Sequence, residues 1–88
     1  MQTVWKYTLP VSDIAMQSMP LNAEVIHVAE QHGQLCMWAL VRPSNPQVMR
    51  HFRIAGTGHP ISNEIQRHVG SVLLADGDLV FHVFEVRP

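Results

Sequence analysis

The chain has 88 residues, of which 47% are apolar and 15% charged, so it is a single globular domain with no room for a second core and is not a disordered segment. Six Lys and Arg against seven Asp and Glu leave a net charge of −1, which gives no electrostatic footprint for duplex DNA or RNA and disfavours nucleic-acid binding. No apolar run approaches the roughly 18 residues of a membrane-spanning helix.

At the N-terminus "TVWKYTLPV" alternates, which predicts a strand with Trp5, Tyr7 and Leu9 on one face and Val4, Lys6 and Thr8 on the other. The opening residues lack the basic segment and apolar run of a signal peptide, so a cytoplasmic location is expected. A weaker signal predicts a short strand around residues 15–19, followed by the connector "SMPLNAE". In "AEVIHVAEQHGQLCMWALV" the His32-Gly33 pair reads as a hairpin turn. Pairing outward from it sets Val28 against Met37 and Ile26 against Ala39 on one face. The other face pairs Ala29 with Cys36, His27 with Trp38 and Val25 with Leu40. Cys36 is alone, which excludes a disulfide within the chain and a cysteine zinc site; it reads as a small buried apolar residue.

After the proline-rich turn "RPSNPQ", the segment "QVMRHFRIAG" alternates Val48, Phe52 and Ile54 against Met49, His51 and Arg53, with Arg50 intruding on the first face. "GTGHP" follows, and Ser62 before "NEIQRH" is placed to cap one helical turn. "GSVLLADGDLVFHVFEV" then predicts a second hairpin around Asp76-Gly77, pairing Leu74 with Leu79, Val72 with Phe81, Leu73 with Val80, Ser71 with His82 and Val69 with Phe84. The sum is an all-β fold over residues 1–88: a small β-sandwich or barrel of six to seven antiparallel strands with at most one short helical turn. Both hairpins are apolar on both faces, and so short a chain cannot cover them. A homo-oligomer, most often cyclic, is therefore expected.

The glycine segment fails two familiar phosphate-binding patterns. No lysine follows Lys6, so it is not a P-loop, and Ile61 stands where a dinucleotide fingerprint needs its third glycine. Two readings remain open: a strand-ending turn that needs glycine, or an anion-binding nest of backbone N–H groups beside Arg53. A ligand pocket on the second reading would use the backbone of Gly56, Thr57 and Gly58, with Arg53, Arg50 and His59 as donors and Trp5 or Trp38 as a stacking platform. The six histidines show no H-x-H or H-x-x-x-H spacing, so no metal site is expected, nor a cofactor. Ser62 lacks a nucleophile elbow, and Asp13, Asp76 and Asp78 read as turn residues. An enzyme would need His59 or His82 beside a carboxylate such as Glu85, and no spacing supports that pairing; the chain is not expected to be an enzyme.

The order "VWKYTLPV", "CMWALV", "FRIAGTGHPI" and "LVFHVFEV" resembles a family of small uncharacterised proteins of phages, prophages and their bacterial hosts, from about Val4 to Val86. The family's FRI-x-GTGHPI and FHVFE motifs carry the resemblance, and no activity or catalytic residue comes with it. It implies a phage-type accessory protein acting in the host cytoplasm. One expectation is a homo-oligomer that binds a small anionic, nucleotide-like ligand and sequesters a host defence signal, by analogy with small oligomeric sponges. The other is a protein-interaction or structural module, a host-protein inhibitor or virion-associated piece, with no small ligand.

Overall fold

Period-two alternation turns nearly every apolar run of this sequence into a strand. In a computed structural model covering residues 1–88, seven strands follow in chain order. They are β1 (Thr3–Leu9), β2 (Ile14–Pro20), β3 (Glu24–Gln31), β4 (Gln34–Val41), β5 (Gln47–Gly56), β6 (Ile65–Leu74) and β7 (Leu79–Val86). Sheet A has the order β1-β4-β3 and sheet B the order β2-β5-β7-β6, with every hydrogen-bonded pair antiparallel. The all-β expectation holds. No helix is long and apolar enough to cross a membrane.

Three short corners carry the chain between the sheets: 10–13, 21–23 and 42–46. Prolines and turn residues suit them, because a corner needs no ladder donor at each position. Two corners are tied together, Leu21 N donating to Pro46 O at 2.8 Å and Asn45 Nδ2 donating to Leu21 O at 2.9 Å. The molecule is 16 Å thick along its short axis, as two layers about 10 Å apart require. Between them lies a core of Phe52, Met19, Met37, Leu35, Val25 and Val83, each nearly inaccessible, with smaller residues around them.

The hairpin between β3 and β4 turns at His32 and Gly33, whose φ values of 53° and 78° are both left-handed, as a tight primed turn requires. Near the turn the pairs Val28–Met37 and Ala29–Cys36 form as expected, and so does His27–Trp38. Beyond them the register differs from the expectation. A bulge at Ile26 leaves that residue unpaired and moves Val25 from Leu40 to Ala39. The second hairpin repeats the pattern: Ser71–His82 through Leu74–Leu79 pair as expected, but a bulge at Val69 sets His68 opposite Phe84. A bulge adds one residue to one strand and sharpens its twist; a third lies at Gln66, and those at Ile26 and Val69 lie where the edge of β3 meets the edge of β6. Gly70 sits at that meeting, and a Cβ there would lie 2.5 Å from Val28 Cγ2.

The helical turn expected after Ser62 does not form; Ile65 already begins the ten-residue strand β6. β6 takes Ile65, Arg67 and His68 because β7 offers its whole length as a pairing edge, from Leu79 to Val86. The β6–β7 hairpin instead closes through a short turn at Ala75, Asp76 and Gly77, all three at left-handed φ values of 52°, 55° and 90°. β2, expected only weakly, is a full edge strand paired with β5 along its length.

Candidate functional site

The glycine segment is the crossover of sheet B. β5 and β6 both run antiparallel to β7 and flank it, so they are parallel to each other, and residues 57–64 must pass over β7 to join them. β5 ends opposite Phe81 while β6 starts opposite Val86, a diagonal of about 20 Å at ~3.3 Å per residue and ~4.8 Å per strand spacing. The connector spans that distance in an extended form. It leaves β5 by a turn closed by His59 N donating to Gly56 O at 3.1 Å, with Gly58 at φ 86°. A side chain is disfavoured at Gly58 for that reason. The His59 ring lies on Gly56, where an added Cβ would meet its Cε1 at 3.0 Å.

Arg53 holds the crossover down. It sits on the face of β5 opposite the core residues Phe52 and Ile54, and its Nη2 donates to Pro60 O at 3.0 Å. Its Nη1 donates to Asp13 O at 3.2 Å and pairs with Asp13 Oδ1 at 2.9 Å, which ties the β1–β2 corner to the same point. Asp13 is therefore a corner residue with a partner, a role its turn position alone did not indicate. Further along, Arg87 N donates to Glu64 O at 3.0 Å and the two side chains pair at 2.9 Å. Ala55 and Val86 share this outer face and are buried there, outside the core between the sheets.

Beside the crossover is an open cleft of about 340 Å³, with Gly56, Thr57 and His59 on one side and Asp78, Leu79, Val80 and Phe81 on the other. Thr57 also joins a row of polar side chains: its Oγ1 and His82 Nε2 are hydrogen-bonded at 2.8 Å, as are His82 Nδ1 and Ser71 Oγ. His68 Nε2 lies 3.5 Å from the same hydroxyl. A neutral imidazole has one donor and one acceptor nitrogen, and hydroxyls complement either tautomer, so His82 is satisfied between Thr57 and Ser71. Glu85 is on the opposite face of β7 and belongs to another cluster.

That cluster lies between the sheets. Arg50 Nε and Nη2 donate to Glu85 Oε2 and Oε1 at 2.6 and 2.8 Å, while Nη1 donates to Ala23 O at 2.6 Å. Arg67 Nη2 reaches Val25 O at 2.9 Å. Backbone carbonyls of the chain entering sheet A are thus gripped by arginines of sheet B. Burial raises the Tyr7 phenol above its ordinary pKa against an opposing pull from the Arg50 guanidinium, and the Tyr7 hydroxyl has no hydrogen-bond partner.

The eight residues expected to line one pocket are therefore spread over the molecule. Gly56, Thr57 and His59 line the cleft, and Gly58 forms the turn beside it. Arg53 is turned under the crossover, and Arg50 is on the other face of β5. Trp38 stands on the outer face of sheet A with its ring 5.7 Å from that of His27, and Trp5 is on the edge strand β1. The Arg53–Asp13, Arg50–Glu85 and Thr57–His82 partnerships join residues far apart in the chain and have no local sequence signal. The one readable hint was Ser71 opposite His82, which places two members of the polar row side by side.

No curated protein and no solved structure gave a significant match to the chain. One family does match, and it does so over residues 1–88, every strand and the crossover included. On that full-length match the chain belongs to the family described as Domain of unknown function (DUF7352).

Proposed function

We propose that the protein acts by binding rather than catalysis, as a homo-oligomeric β-domain whose counterpart is another protein surface. The observation that carries this reading is the outer face of sheet B at its β2 edge. Ile14, Met16 and Met49 are 39%, 64% and 56% exposed there, and the β2–β5 register places them on one face. Adjoining exposed apolar side chains mark contact surfaces more often than scattered ones do. The phage or prophage setting implied by the sequence resemblance suits an inhibitor of a host protein or a virion-associated piece. Native mass spectrometry of the purified chain tests the reading: an oligomer is expected, and a monomer at all concentrations would overturn it.

A second reading has its own observation, the cleft beside Gly56, Thr57 and His59. A small anionic, nucleotide-like ligand would meet turn backbone and the His59 ring on one side and Phe81 on the other, and such binding would serve to sequester a host signal. Asp78 on the far side opposes an anion, and both arginines of β5 are already occupied. Calorimetric titration with a nucleotide panel, using His59→Ala as control, checks it; no heat from any nucleotide removes this reading.

A further inference from the structure

The free edge of β2 is unlike the other edges of the molecule. The strand reads IAMQSMP and carries no charged residue. β1 has Lys6, while β3 has Glu24 and Glu30 and β6 has Arg67. β3 and β6 also pack against each other. Natural edges are commonly blunted by charge, proline or a bulge, and β2 has only Pro20 at its end.

The direction of its backbone groups follows from two bonds. Asp13 O accepts from Ile54 N at 3.2 Å and Leu21 N donates to Pro46 O at 2.8 Å, so both residues face β5. In an antiparallel ladder this alternates, so Ala15, Gln17 and Met19 also face β5 while Ile14, Met16 and Ser18 turn their N–H and C=O groups to the open edge. Two of those outward carbonyls are met by the chain's own side chains, Ile14 O by Ser12 Oγ at 3.0 Å and Ser18 O by Gln17 Nε2 at 3.1 Å. Met16, at the middle of the strand, keeps both its N–H and its C=O for a partner.

We infer that β2 is the seam of a two-fold dimer, pairing antiparallel with β2 of a second copy around Met16; this rests on the oligomeric reading above. In that register Met16 of each copy exchanges both backbone bonds with Met16 of the other, and Ile14 stands opposite Ser18. A second copy is the fitting partner because an isologous contact repeats one surface, and a strand without charge meets no like charge when it does so. Ile14 of one copy then stands beside Ser18 of the other, with that copy's Met49 one strand beyond it, since Ser18 and Met49 are paired across β2 and β5. The exposed apolar side chains of both copies then join in one band, and sheet B continues across the seam.

Analytical ultracentrifugation of the wild type, Met16→Pro, Met16→Lys and Leu73→Lys tests this. Proline at position 16 removes an outward N–H and leaves the β5 ladder intact, so it should weaken association at least about 100-fold with the far-UV circular dichroism of a β fold retained. Met16→Lys reads the same loss should the proline variant fail to fold, and Leu73→Lys, a charge on another exposed apolar position, should associate as the wild type does. An oligomeric wild type whose Met16 variants associate equally well overturns the seam and leaves the oligomeric reading standing. Loss of association in Leu73→Lys as well as in the Met16 variants also overturns it, since the contact would then not be specific to β2. A monomeric wild type overturns both.

Discussion

Arg50 and Arg53 stand on the same strand, yet they organise opposite sides of it. Arg50 faces inward, where a bidentate bond to Glu85 and a bond to Ala23 O tie sheet B to the chain entering sheet A. Arg53 faces outward, where Pro60 O and Asp13 hold a crossover and a corner against the back of the sheet. The inner cluster has side chains 16% and 14% exposed on its two sides, whereas Asp13 in the outer one is 93% exposed. A charge pair out of water is costly to break on one side, because the survivor stays buried; a pair with a solvated member is not. The inner arginine therefore governs global stability, and the outer one governs a local segment.

Removing Arg50 should do the most damage. Arg50→Ala strands Glu85 between the sheets and is expected to cost about 3 kcal/mol, a Tm drop of roughly 15 °C by differential scanning calorimetry. A loss no larger than that of Arg53→Ala would break the contrast. Next comes the packed seam where β3 meets β6: Gly70→Ala pushes a methyl group into the stiff Val28 side chain, at an expected cost of about 2 kcal/mol in urea unfolding. Arg53→Ala should cost about 1 kcal/mol globally and act mainly on the two segments it clasps, with faster amide exchange confined to the crossover 57–64 and the corner 10–13 by mass spectrometry. Exchange rising equally across β3 and β4 would show that the outer clasp is not local.

The smallest effect belongs to Tyr7, whose hydroxyl is buried beside the inner cluster without a partner. Tyr7→Phe removes that unsatisfied group and should leave stability within about 1 kcal/mol of the wild type, on the favourable side. The pH dependence has a definite sign. The folded phenol ionises at higher pH than the unfolded one, so the unfolded state loses its proton first and stability falls as pH rises past about 10. The phenylalanine variant should lack that part of the alkaline slope in denaturant titrations.

Much of the fold was legible because a strand declares itself locally. The His32-Gly33 turn, the pairs closest to each turn and the inward course of Phe52 and Ile54 all follow from turn chemistry and period-two alternation. Alternation even carried the separation of Arg50 from Arg53, since residues an odd number apart on one strand face opposite sides. By that rule the two arginines cannot line one pocket on a single face of β5. The bulges at Ile26 and Val69 were not legible, because each depends on how one sheet edge meets another. The lower half of β6 read as a helical turn for a similar reason: Ser62 and Glu64 are good capping residues in isolation, but the free edge of β7 supplies pairing that a short helix cannot match.

By itself the sequence determined an all-β chain, the position of its turns and which side chains alternate toward a core. Those properties come from φ preferences and near-neighbour periodicity. Only the tertiary structure decided that "GTGHPIS" crosses over β7 with Arg53 beneath it, that Arg50 grips the opposite sheet, and that β2 is an open, uncharged edge. Strand order is a long-range property: the same seven strands can be arranged in several sheets, and the partner of each edge is chosen by packing between segments far apart in the chain.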